Sequence, residues 1–304
     1  MSLLVIGSVA LDTIETPFGK VQETLGGSAV YFSCAASYFT DVSLVAVVGE
    51  DFPQKHLDIL KKRGIDTSGL TTSQGNTFRW TGKYGFDLNE AKTIDTQLNV
   101  FEQFQPILNE KQKTKDFVFL ANIDPDLQQS VLNQMQQPKL AASDTMNFWI
   151  ERKNDSLKSL MRNIDTLLIN EAEVRQFGQE ANIFKAARKI LSWGPKSLIV
   201  KRGEYGSLTF HEHSIFSAPA YPLEMVFDPT GAGDSFAGGF MGFLAKSGTL
   251  DTKNIKRAVV FGSVMASFAV ETFSLERLAN LDENKIFKRY RELHKMVCFE
   301  DFTD

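Results

Sequence analysis

The sequence predicts an α/β fold, a doubly wound and mostly parallel sheet sandwiched by helices, with a small β-sheet lid. Two patterns predict it. Short apolar runs of strand length alternate with stretches of helical period along the chain, and that alternation buries strands between two helix layers. Residues 77–85, TFRWTGKYG, behave differently: apolar and polar residues alternate with a period of two, the mark of a strand with one open face.

Composition fits such a body. The chain has 304 residues, 43% hydrophobic and 23% charged, enough to bury a large core without staples. Net charge is −4 and the 33 basic residues form no long run, so neither nucleic acid nor a membrane surface is an expected partner. The opening MSLLVIGSVALD has no basic leader, and its apolar run is too short for a signal peptide or a span; a cytoplasmic protein is expected. Cys34 and Cys298 lack metal-type spacing and read as reduced thiols.

Taken in order, residues 3–11 (LLVIGSVAL) read as one buried strand, followed by strands at 43–49, 116–121, 139–143, 166–170 and 197–203. Helices are expected over 28–39, 53–63, 126–136, 180–193, 233–246, 254–270 and 283–297. Residues 13–25 and 76–97 are assigned to the lid, inserted in one domain spanning 1–304. Phe78, Trp80 and Tyr84 share a lid face that either covers a substrate or pairs two copies of the chain in a homodimer. Ligands in such sheets bind beyond the carboxyl ends of the strands.

The chemistry concentrates in residues 228–240, DPTGAGDSFAGGF. Pro229 disfavours helix at Asp228, and Gly231 and Gly233 permit backbone angles that other residues resist. A helix rich in small residues begins there, so the first peptide N–H groups point outward and attract an anion. Asp234 just inside that end is either a first-turn acid favoured by the helix dipole or a general base beside a phosphate cradle.

The string Thr230-Gly231-Ala232-Gly233-Asp234 resembles the C-terminal signature of the ribokinase-like sugar kinases, the PfkB family. Further stretches are similar to that family in the same order. LVIGSVALD (4–12) resembles its first strand, LGGSAVYFSCAASYF with VSLVAVVGEDF its N-terminal motif, INEAEV (169–174) its Asn-x-x-Glu motif, and VKRGEYGS (200–207) the strand and turn that line the nucleotide. The resemblance covers essentially the whole chain. It implies an ATP-dependent kinase that phosphorylates a hydroxymethyl group on a sugar or sugar-like molecule, with Asp234 as base and Gly231, Ala232 and Gly233 as anion hole. It implies that Asp12, Gly26, Gly27 and Tyr31 bind substrate, the glycine pair also being the lid hinge. Asn170, Gly203, Gly206, Thr230 and Ser263 are implied at the nucleotide, and Glu173 with Asn170 at Mg²⁺. Some relatives also imply a monovalent cation, K⁺, near Asp228. No Walker-type G-x-x-x-x-G-K-[ST] occurs.

Other residues stay open. Asn170 and Glu173 have the spacing of a helix capping box, compatible with a metal role. Asp144 ends a strand at the ligand side and is either an accessory phosphate or magnesium residue or a turn acid. Lys201 and Arg202 are candidates to contact nucleotide phosphates, but basic residues after a strand are usually solvated, and they are left out of the site. His211-Glu212-His213 reads as a surface turn.

One departure bears on the substrate. The family motif usually reads Gly-Gly-x-x-x-Asn, and Tyr31 stands at the asparagine position. A phenol does not copy an amide that both donates and accepts through separate atoms, although Asn89 in the lid is a candidate replacement. The change favours carrying a nucleoside as alternative substrate, with Tyr31, Phe32, Phe78 and Trp80 available to stack on a base. A sugar phosphate would instead need cations, which Arg79 and Lys83 supply. The alternative from another class is a nucleotide or metabolite sensor that binds without catalysing.

Overall fold

The structure is a computed structural model and describes residues 1–212 and 214–298, so His213 of the expected surface turn lies outside the described residues. In chain order the strands are β1 (Ser2–Ile6), β2 (Ala10–Thr16), β3 (Gly19–Gly26), β4 (Asp41–Gly49), β5 (Asp66–Ser73), β6 (Arg79–Tyr84), β7 (Ala91–Gln97), β8 (Phe117–Leu120), β9 (Leu140–Asp144), β10 (Thr166–Asn170), β11 (Ser197–Lys201), β12 (Ser207–His211) and β13 (Ser214–Ala218). The large sheet runs β13-β12-β11-β10-β9-β8-β1-β4-β5, and the small one β3-β2-β6-β7. From β11 to β5 every pairing is parallel; β12 and β13 extend the edge antiparallel. The chain leaves β1 toward β4 and returns on its other side at β8, which makes the end of β1 a topological switch point.

Two cores sandwich this sheet. On one face the helices Ser28–Ala36, Ala232–Ser247 and Thr252–Ala269 pack over Leu3, Val5, Leu44, Phe119, Leu168 and Ile199. On the other, helices such as Asn154–Met161, Glu171–Gly178 and Ile183–Leu191 cover Leu4, Ile6, Val118, Leu167 and Leu198. The small residues of the Ala232–Ser247 helix explain its close seat. A Cβ on Gly238 would run into the Phe32 carbonyl, and one on Gly239 would stand 2.7 Å from the Phe261 carbonyl oxygen. That packing fixes where the helix begins, and hence where the loop before it lies.

The expected single strand over 3–11 is two strands in different sheets. Ser8 breaks it, because its backbone and hydroxyl serve the start of the Ser28–Ala36 helix: the Ala29 N–H donates to the Ser8 carbonyl (3.1 Å) and the Ser28 N–H to Ser8 Oγ (3.0 Å). Apolar periodicity does not register such a hydrogen-bond diversion. Strands β5, β12 and β13 and the helices Asn147–Arg152 and Asn154–Met161 were not among the expected elements, whereas the helix Glu171–Gly178 is the one the Asn170 capping box called for. The expected helix over 180–193 narrows to Ile183–Leu191, capped by Asn182. No helix among the described residues is long and apolar enough to cross a membrane.

Candidate active site

The acid end begins on β2. Asp12 lies opposite Thr24 of β3 and Trp80 of β6, and its side chain is 4% exposed. A Cβ on Gly26 would overlap the Asp12 carboxylate, and Gly27, at φ 97°, stands so close to the Ser8 carbonyl that no side chain fits. Of the two expected hinge glycines, Gly26 therefore makes room for this acid and Gly27 for the Ser8 backbone. Burial pushes the Asp12 carboxyl up to about 7, the Gly27 amide opposes the shift, and the charges of Asp228 and Asp234 add to it.

Asp228 anchors the glycine turn from below. Buried, it accepts from the Thr230 N–H and the Ser274 N–H, both at 2.9 Å. Gly231 then takes φ 74° at the head of the Ala232–Ser247 helix. The face of the Tyr31 ring fills the space where a Cβ of Gly231 would stand. Tyr31 is thus 1% exposed beneath the turn, with a hydroxyl that has no partner among the described residues. The Ala232 N–H is engaged by the Pro229 carbonyl (3.1 Å), whereas the N–H groups of Gly231 and Gly233 have no partner among the described residues. Asp234 follows, half-buried in the first turn; burial raises its pKa and Lys201 opposes the rise.

Three successive strands deliver polar side chains to this turn from the sheet. Asp144, Asn170 and Lys201 end β9, β10 and β11, each two residues beyond a residue of the core that packs the Ala232–Ser247 helix. The period of two puts all three on that face. The expectation that Lys201 is solvated is wrong. Its side chain is 17% exposed, with Nζ 3.5 Å from Asp144 Oδ2 and 2.9 Å from where a Cβ of Gly233 would stand. The signal that would have found it is its parity with Ile199. Arg202, by contrast, pairs with Glu171 at 2.6 Å. Asp144 is 4% exposed, and burial raises its pKa against the pull of Lys201. Burial works against the Lys201 ammonium, but Asp144, Asp234 and Glu173 outweigh it and hold its pKa above the usual lysine value.

Asn170 and Glu173 form the capping box their spacing suggests. The Glu173 N–H donates to Asn170 Oδ1 (2.8 Å) and the Asn170 N–H to Glu173 Oε2 (3.0 Å). Burial raises the Glu173 pKa as well. Gly203 and Gly206 take φ 55° and 82° in the turn after β11, and a Cβ on Gly206 would run into the Ala218 carbonyl. Ser263 is 7% exposed on its helix and shares no hydrogen bond with this group among the described residues.

The small sheet closes over these groups. Tyr84 is 8% exposed, and the Thr230 hydroxyl donates to its phenol oxygen at 3.2 Å. That commits Tyr84, one of the three residues on this face, to the body. Asn89 sits against Gly203, not at the acceptor end where its amide was to replace the family asparagine. Of the rings expected to stack on a base, Phe32 stacks on Phe119 (4.3 Å between centroids) and Phe78 on Phe101 (5.2 Å). Trp80 remains, beside Asp12 in the sheet and folded over Gly82. The lid cations are also engaged: Arg79 pairs with Glu23 (2.9 Å) and Asp51 (2.7 Å), and Lys83 with Glu15 (2.6 Å). Tyr84→Phe, which removes one neutral hydrogen bond between lid and loop, is expected to raise the KM for the phosphoryl acceptor about two- to tenfold, the equivalent of ~0.5–1.5 kcal/mol. Steady-state kinetics with an unchanged KM would remove Tyr84 as a closing contact.

An acid at the head of a helix, with uncommitted N–H groups and an ammonium beside it, suits the movement of a phosphoryl group onto an alcohol. Fold and site together define a small-molecule kinase. Residues 2–279 match the pfkB family carbohydrate kinase, and the chain belongs to that family. It is accordingly a phosphotransferase that acts on hydroxyl groups. The chain is similar to the cytidine kinase of Thermococcus kodakarensis, 30% identical over 250 residues that cover 79% of this chain and 87% of that protein. Its fold is similar to the Burkholderia thailandensis nucleoside kinase solved with inosine, at TM-score 0.77 and 19% identity over 96% of this chain and 98% of the other. It is also similar to the Vibrio cholerae O395 fructokinase solved with fructose, ADP and calcium ion, at TM-score 0.79 and 16% identity over 95% and 98%.

Proposed function

We propose that this kinase transfers the γ-phosphoryl group of ATP to the hydroxymethyl group of a ribonucleoside. The observation that carries the reading is the placement of Asp234 at the mouth of the Gly231 turn, with Asp12 across from it. Asp12 and Asp234 feel each other's charge, and the Gly231 and Gly233 N–H groups are uncommitted. Asp12 accepts from the sugar hydroxyls and orients the acceptor. Asp234 takes the proton of the attacking hydroxyl, and the amides of the turn stabilise charge on the phosphoryl oxygens. Gly26 and Gly27 form the hinge on which the small sheet closes and excludes water, the competing acceptor.

The donor set fits a divalent ion. Asp144 keeps a buried oxygen without a partner, and the Glu173 carboxyl is held out of water with one oxygen committed to the cap. Glu173 and Asn170 would hold Mg²⁺ largely through its waters. When bound, that ion supplies charge neutralisation on the nucleotide phosphates. Both oxygens of Asp228 already accept backbone N–H groups, and we assign no monovalent cation there.

Three observations favour a nucleoside over a sugar phosphate. Arg79 and Lys83 are committed to carboxylates. The acceptor end is walled by Asp12, Asp228 and Asp234, which repel a phosphate-bearing acceptor. Trp80, opposite Asp12 in the small sheet and with one side of its ring on Gly82, is the candidate ring for a base. The similarity to a cytidine kinase points the same way. The test is ADP release from Mg-ATP over nucleosides, free sugars and sugar phosphates. Turnover of nucleosides above the others is expected; preference for a free sugar or a sugar phosphate overturns the acceptor class.

A further inference from the structure

The Lys201 ammonium stands beside the glycine turn. It lies against the α-carbon of Gly233, at the positive end of the Ala232–Ser247 helix dipole. Desolvating it there costs free energy, which the charges of Asp144, Asp234 and Glu173 offset. Close contact is still missing: at 3.5 Å, Asp144 lies beyond the 2.7–2.9 Å of a charge-assisted hydrogen bond. An ammonium has three donors and no acceptor, and Lys201 makes no other ion pair among the described residues. The missing partner is an anion that also faces the uncommitted N–H groups of Gly231 and Gly233.

We propose that Lys201 is a catalytic residue whose ammonium contacts the phosphoryl group in transfer, with Asp144 as the positioning residue that holds it. This rests on the site assigned above to the reaction. In the step, the acceptor oxygen forms a bond to the γ-phosphorus and gives its proton to Asp234. The bond from the γ-phosphorus to the bridging oxygen breaks, and its electron pair leaves on the β-phosphate of ADP. Lys201 neither gives nor takes a proton; it stabilises negative charge on the oxygens of the group in flight.

The test compares Lys201→Met, Asp144→Asn and the double variant with the wild type, by kinetics and by binding of Mg-ADP with and without aluminium fluoride. Lys201→Met is expected to lower kcat about 100- to 1000-fold and the KM for ATP to change less than about fivefold. ADP affinity is expected to stay within about threefold while the gain from aluminium fluoride is lost. Asp144→Asn is expected to lower kcat about tenfold, and the double variant to be no slower than Lys201→Met, because Asp144 acts through Lys201. The double variant leaves neither member of the Lys201–Asp144 pair alone, so it keeps the test open where Lys201→Met fails to fold. A kcat within about threefold of wild type in Lys201→Met, or in a double variant that alone folds, overturns the proposal, as does equal loss of ADP and ADP–aluminium fluoride affinity. The two readings fail differently. A wild type that turns over no nucleoside sinks the acceptor assignment, while the aluminium fluoride arm, run without acceptor, still reports on Lys201. A wild type with no gain from aluminium fluoride overturns the phosphoryl contact itself.

Discussion

Asp234→Asn is expected to lower kcat by about 10²- to 10⁴-fold with little change in the affinity for either substrate. The amide occupies nearly the same volume at the head of the helix but accepts no proton at neutral pH. The uncommitted amides and the Lys201 ammonium stay in place, so binding survives and residual transfer continues from positioning and charge stabilisation. The sign of the pH dependence follows from burial, which raises the Asp234 pKa. The wild-type rate falls as pH drops through that value, because the protonated acid no longer serves as base. Asp234→Asn lacks that limb. A variant with wild-type kcat, or with the acid limb intact, would leave Asp234 as a first-turn acid of structural value only.

Asp12→Asn is expected to weaken acceptor use and strengthen the fold together. A charge-assisted hydrogen bond contributes about 1.5–3 kcal/mol, so the acceptor KM should rise roughly 10- to 100-fold with the KM for ATP unchanged. Stability moves the other way. The unfolded Asp12 carboxyl ionises near its ordinary 3.8 and the folded one at about 7. Between those values the folded chain retains a proton that the unfolded chain has released, so this group's contribution falls as pH rises from about 4 to about 7 and is constant above. At about 1.4 kcal/mol per unit, the upper bound is ~4 kcal/mol. The melting temperature of Asp12→Asn should therefore exceed that of the wild type by an amount that grows from pH 5 to pH 7, on the order of degrees per kcal/mol. A difference flat across that window would show that the carboxyl is not held out of water. Equal acceptor KM values would separate it from the substrate.

The parallel sheet was legible because strands buried on both faces leave continuous apolar runs between helical periods. The glycine turn at 231–233 was legible because few residues other than glycine take φ 74° there. The acid at 234 followed from its place just inside a helix start. Each of these is a local constraint, satisfied or violated by residues close in sequence.

The remainder depends on which chain segments meet. Ser8 ended a strand only because Ser28, twenty residues on, needed its hydrogen bonds. Phe32 and Phe78 left the acceptor end for Phe119 and Phe101, and Arg79 was taken by Asp51 and Glu23. Lys201 read as an ordinary basic residue after a strand. Only strand register, which sets Asp144, Asn170 and Lys201 on one face beneath the glycine turn, placed its charge in the site. By itself the sequence determined the layers of the fold and the turn that ends in Asp234, because backbone sterics and periodicity act over a few residues. The tertiary structure decided which charges and rings remain free at that turn, because pairing energies are settled between groups far apart in the chain.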